Sequence, residues 1–158
     1  MGLTRTAKRQ SRPQASLTEG HQTFRSEGAS SSVAGDMRQT AEGVEVGLLQ
    51  IRRDEPRRMS FPVLKAKAQD LAQRLTYLSE RMVVVDQDRR GMELQLRSLP
   101  PYKDDDQIQF NEIRITKDGI SVQRIAFFRK EEVKRQVPLS LSPLDLERLL
   151  GDLQAAVA

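Results

Sequence analysis

The chain has 158 residues, a formal charge of +4, one His, and neither Cys nor Trp. That length suits at most one domain and a polar remainder, and the absence of Cys excludes disulfides, thiolate chemistry and Cys-ligated zinc. The single imidazole, His21, lies in a polar segment, which argues against a His-based catalytic dyad.

Residues 1–45 are rich in Ser, Gly, Gln, Thr and Arg, with Phe24 as their one aromatic residue. They show no periodic apolar face with which to offset the entropy of ordering, so they read as a disordered tail. Arg5, Lys8, Arg9 and Arg12 cluster without an acid. They read either as solvated charge or as a weak attraction to phosphate or anionic lipid. Met1-Gly2-Leu3-Thr4-Arg5-Thr6 fits the N-myristoylation pattern, so a membrane partner enters only if Gly2 is acylated.

Residues 46–59 read as an arm or linker. Val46, Leu48, Leu49 and Ile51 suit a short edge strand or a docking peptide, and Pro56 argues against a central strand. Arg52, Arg53, Arg57 and Arg58 bracket Asp54 and Glu55. They suit phosphate contacts or a charge-balanced linker.

Residues 60–158 read as the folded domain. Leu64, Ala68, Leu71, Leu75, Leu78 and Met82 step by four and three, which predicts a long amphipathic helix over Pro62–Glu80, roughly 28 Å long. Ser60 is a capping candidate, and Phe61, just before a proline, is biased away from helical geometry. Lys67, Arg74 and Arg81 line one edge of the stripe, as a basic rail or as stems that snorkel. Met82–Val85 is an apolar strand, and Met92, Leu94 and Leu96 alternate with polar neighbours, with Gly91 expected to supply a positive φ in the turn. Asp86 and Asp88 suggest a calcium loop, but Arg90 and Arg97 fall where oxygen ligands are needed. Asp104, Asp105 and Asp106 form an acidic tip that suits solvation better than a cation.

Gln107–Thr116 and Ile120–Arg129 form a hairpin through Lys117-Asp118-Gly119. Its apolar residues change parity partway, which predicts either bulges or burial on both faces. In regular strand Phe127 and Phe128 point to opposite faces, so one is a candidate surface aromatic near Arg124 or Arg114. Val133–Leu139 adds a short strand limited by Pro138. Ser142-Pro143 starts a closing helix with Leu146, Leu149, Leu150, Leu153 and Val157 on one face, and Gly151 suggests a close contact.

These elements predict an α+β fold: a disordered tail, a long N-terminal helix, a four- to five-stranded antiparallel meander of hairpins, and a C-terminal helix. Four strands followed by a helix is similar, in element order, to the repeat of PUR-alpha-type nucleic-acid binders, which would imply a nucleic-acid partner. There is no Gly-rich phosphate loop and no metal-ligand spacing, so no catalytic, cofactor or metal residue is assigned and no enzyme activity is expected. The apolar strand segments exceed what two helices can cover. The expected function is therefore a small non-catalytic protein-interaction or adaptor module that forms a homodimer. The alternative is a nucleic-acid-binding module using Arg52, Arg53, Arg57, Arg58 and Arg124. No apolar run is long enough to span a bilayer and no secretory signal is present, so a cytoplasmic location is expected.

Overall fold

The computed structural model describes residues 3–5, 22–27, 30–55, 57–78 and 80–158, with the backbone alone for 3–5 and for 22–27 apart from Thr23. The elements in chain order are β1 (Leu3–Arg5), β2 (Gln22–Glu27), β3 (Ser31–Gln39), β4 (Val44–Arg53), α1 (Phe61–Arg74), β5 (Met82–Asp88), β6 (Glu93–Ser98), β7 (Tyr102–Lys103), β8 (Gln107–Thr116), β9 (Gly119–Phe128), β10 (Val133–Val137), β11 (Leu139–Leu141) and α2 (Pro143–Val157). All strands join one antiparallel sheet, ordered β1-β2-β3-β4-β9-β8-β6-β5, with β10 against β9, β11 against β4 and β7 against β8.

This architecture corrects the expected α+β plan. Among the described residues the sheet has eleven strands, not four or five, and nine of them lie from Ser31 onward. No long helix begins the fold: four strands precede α1. From Ser31 the supposed disordered tail is sheet. β3 carries mostly small and polar residues, so its alternation is faint. Its order comes from long-range pairing with β4, which seats Val33 opposite Ile51, where both are buried. β4 is a central strand, not an edge: β3 lies on one side, and β9 and β11 share the other. The readings of Gly2, Lys8, Arg9, Arg12 and His21 fall outside the described residues.

The first helix is 14 residues long, about 21 Å at the usual rise. It begins at Phe61, whose buried ring lies under the Arg89 guanidinium, 5.0 Å from the centroid. Burial of that ring outweighs the bias of a residue before proline. The Ser60 hydroxyl accepts from Val63 N–H at 3.4 Å. The helix closes when Leu75 donates to the Leu71 carbonyl and then turns to φ −83°, ψ 55°. Leu75, Leu78 and Met82 are nevertheless buried. The four-three rhythm runs past the helix because the loop and β5 continue along the same core.

The β8–β9 hairpin keeps an unbroken register from Gln107 opposite Phe128 to Ile115 opposite Ile120. No bulge explains its parity change; the hairpin has two apolar faces. Toward the Lys117–Asp118 turn, Ile113, Ile115, Ile120 and Val122 enter the main core. Both helices cover that face: α1 packs on β5, β6 and β8, and α2 packs on β4, β9, β11 and α1. In the other half, Ile108, Phe110, Ile125 and Phe127 alternate onto the opposite face, which is helix-free among the described residues. Past Arg124, β10 replaces β4 beside β9, and β7 lies beside β8 where β6 has ended. We call this four-stranded extension the wing. Pro138 sits where the chain leaves β9 to pair with β4, so its missing donor falls between two ladders.

Two glycine expectations also change. The positive φ of the β5–β6 turn is at Met92 (55°), while Gly91 N–H donates to the Asp88 carboxylate at 2.9 Å. A Cβ on Gly151 would meet nothing within 4 Å, so no close contact explains that residue.

Candidate functional site

The chain reverses at Lys117 and Asp118, and β4 ends beside that reversal. Arg52 pairs with Gly119, the first residue of β9. A Cβ on Gly119 would fall on the Ile51 carbonyl oxygen and crowd Arg52 Cα at 3.1 Å. Glycine therefore lets β4 approach the turn closely, and the end of β4 carries two arginines into that corner.

Alternation sends them to opposite faces. Ile51 is core, so Arg52 lies on the helix-free face, where it shares a shallow cleft with Gln50, Arg114 and Ser121. Arg53 lies on the helix side. Its Nη1 donates to the Lys117 carbonyl oxygen, its backbone N–H donates to Asp118 O at 2.9 Å, and its buried Nε has no partner. Arg57 and Arg58 are exposed in the irregular segment leading to Ser60. With Met59, Met92, Lys117 and Asp118 they wall a cleft of about 720 Å³. Arg57 also borders a neighbouring cleft beside Arg53, Asp54 and Glu55.

The electrostatics of this corner are those of crowded like charge. Burial, then the Arg57 charge, holds the Arg53 pKa below its ordinary value, with Asp118 opposing. Burial first, then Arg53 and Arg57, lowers that of Lys67 on α1, with Asp70 opposing. Neither Arg52, Arg53, Arg57, Arg58, Lys67 nor Lys117 forms a salt bridge among the described residues.

Arg124 does not join them. It lies midway along β9 and is held by Glu80 at 3.2 Å, the Asn111 amide oxygen at 2.7 Å and the Gln109 amide oxygen at 2.8 Å. The four arm arginines thus gather around one turn, while the fifth ties the loop after α1 to the sheet. Sequence reading missed Lys117 as a companion of the arginines. Its only local signal was membership of a turn, and the approach of β4 is a long-range event.

The wing is a second candidate surface. On its helix-free face Ile108, Ile125 and Phe127 are half-buried and Phe110 is buried, with Arg97 over the Phe110 ring at 4.3 Å. On its other face Ala126 is buried, and Phe128 lies beneath Arg135 at 5.8 Å. Closer to the turn the helix-free face becomes polar. Glu112 accepts from Gln95 and Gln123, and Arg114 pairs with Glu93 at 2.9 Å.

Asp104 in the acidic tip accepts from the N–H groups of Asp106 and Gln107, both at 2.8 Å, and from the Tyr102 hydroxyl at 2.9 Å. These donors hold its pKa below the ordinary value. Among the described residues no group of three or more His, Asp or Glu is placed to hold a metal ion, and no helix is long and apolar enough to cross a membrane. A larger cleft, about 870 Å³, lies between α1 and β5, and its Glu80 is already paired with Arg124. No protein-family model, curated protein or solved structure matched the chain.

Proposed function

We propose that this chain is a small non-catalytic interaction module that pairs with a second copy of itself through the helix-free face of the wing. The observation that carries this reading is an extension of the sheet with apolar residues on both faces, where β8 and β9 run on past the ends of β4 and β6. Single apolar residues on a surface are ordinary, but a contiguous set on an uncovered sheet face marks contact with a partner. The outer edge of β10 presents exposed Lys134 and Arg135. Charged residues there oppose strand addition and favour face-to-face packing.

Size sets a further condition. Four strands at about 4.8 Å spacing and five residues at about 3.3 Å give a patch on the order of 300 Å². A stable interface buries about 800 Å² on each partner. The wing therefore acts as an apolar anchor, and the polar Gln95–Glu112–Gln123 network beside it supplies the rim.

Sedimentation equilibrium of the full chain across a concentration series tests the reading. A dimer is expected, and Phe127→Glu is expected to shift it to monomer while far-UV circular dichroism and the melting transition stay cooperative. A native chain that remains monomeric at high concentration, or a folded Phe127→Glu variant that dimerises as well as the native chain, would overturn it.

A further inference from the structure

At the opposite end of the hairpin, we propose that the basic corner around Lys117 binds the phosphodiester backbone of a single-stranded nucleic acid, independently of the wing.

Three features favour a strand over a lone anion. The first is unbalanced charge. Six cations without salt bridges among the described residues (Arg52, Arg53, Arg57, Arg58, Lys67 and Lys117) gather at the corner, where the neighbouring carboxylates are Asp54, Glu55, Asp118 and Asp70, the last already paired with Arg74. Folding brings these cations together against their mutual repulsion, and a polyanion laid between them removes that cost.

The second is layout. Five of the cations are distributed over successive shallow clefts, two sharing Asp118 and two sharing Arg57, and Lys67 stands near Arg53 and Arg57 on α1. The track runs from Arg52 on the helix-free face, around the turn, to Arg53 and Lys67 on the helix side. A single phosphate is held by several donors converging on one point. Cations spaced along a curved track instead match successive phosphates of a flexible chain.

The third is what the clefts lack. Among the described residues, those walling them include no exposed aromatic ring; Phe61 at the start of α1 is buried under Arg89. Without a stacking platform the track reads phosphate and carries little base preference.

Fluorescence anisotropy of labelled oligothymidylate and oligouridylate, titrated with the full chain over a range of salt, tests this. Both probes are expected to bind with similar affinity. The variant Arg57→Ala/Arg58→Ala/Lys117→Ala removes three exposed cations. It is expected to weaken binding roughly tenfold at low salt and to lower the log–log salt slope by about two, as losing three single-strand phosphate contacts requires. Lys130→Ala/Lys134→Ala/Arg135→Ala removes the same charge from the wing end and is expected to keep the native slope. Absence of native binding, equal losses in the two variants, or a native slope in the first would overturn the proposal. So would displacement of the probes by inorganic phosphate beyond the effect of chloride at matched ionic strength, which would identify a single-anion pocket.

Discussion

Gly119 and Gly151 have the same side chain and opposite consequences. At Gly119 an added methyl meets the backbone of β4, and backbone cannot swing aside as a flexible side chain does. Gly119→Ala is expected to destabilise the fold by about 1–3 kcal/mol. At Gly151, inside α2 and exposed, the methyl meets open space. Gly151→Ala is expected to stabilise by about 0.5–1 kcal/mol, because glycine loses more backbone entropy in a helix than alanine does. Urea unfolding of the two variants checks both signs, and a stabilised Gly119→Ala would mean that β4 does not press on the turn. The contrast also marks what was legible. Asp118-Gly119 identified a turn from local chemistry, but the reason for glycine there is its contact with a strand that ends at Arg53. The Gly151 reading failed for the same reason: nothing in the local pattern says whether a neighbour is present.

At the scale of elements, α1 and α2 meet through Tyr77, just after the end of α1. Its hydroxyl donates to Asp152 at 2.7 Å, and the Arg148 guanidinium lies over its ring at 4.1 Å. Burial first, then the hydrogen bond and charge of Asp152, pushes the phenol pKa well above its usual value. A raised acid pKa means that the folded state favours the protonated form. The stability this confers is fully present below the unfolded pKa of about 10 and is lost as pH rises toward the higher folded value. Native protein should therefore lose stability above about pH 10 more steeply than Tyr77→Phe, which has no phenol to ionise there. Parallel alkaline stability curves for the two would refute that role. The α2 boundaries were legible, because Ser142 and Pro143 are local signals and the Ser142 hydroxyl caps Asp145 N–H at 3.0 Å. The end of α1 was not. Apolar spacing records which residues face the core, and Leu78 and Met82 face it from a loop and a strand.

Across the whole molecule, Arg124 and its partners divide the helix-covered half of the sheet from the wing. Arg124 and Glu80 are largely buried, with side-chain exposures of 13% and 17%. Asn111 is fully buried beside them, and its backbone N–H donates to the Ser98 hydroxyl at 2.7 Å. Arg124→Ala strands the Glu80 charge and removes the donor to Asn111, so a loss of about 2–4 kcal/mol is expected. Adding Glu80→Gln to that variant should recover part of the loss, because the stranded charge is then gone. A chemical-denaturation series checks both steps, and a loss of under about 0.5 kcal/mol would place Arg124 among ordinary surface pairs. Sequence reading placed this arginine among phosphate-binding candidates, since a cation in an alternating strand looks exposed. Its partners lie 13, 15 and 44 residues away, and no local pattern announces them.

What the sequence determined by itself is what short-range chemistry controls. The Lys117-Asp118-Gly119 reversal, the strands on either side of it, the capped start of α2 and the apolar stripe of α1 each follow from residues a few positions apart. Tertiary structure decided the rest. It made β4 central, gave order to a weakly patterned β3, ended α1 early, decided which face each of Arg52 and Arg53 takes, and buried Arg124. The physical reason is common to these cases: a sheet strand gains its hydrogen bonds and half its packing from residues distant in the chain. Its identity, its neighbours and the face its side chains take are therefore properties of the assembled sheet.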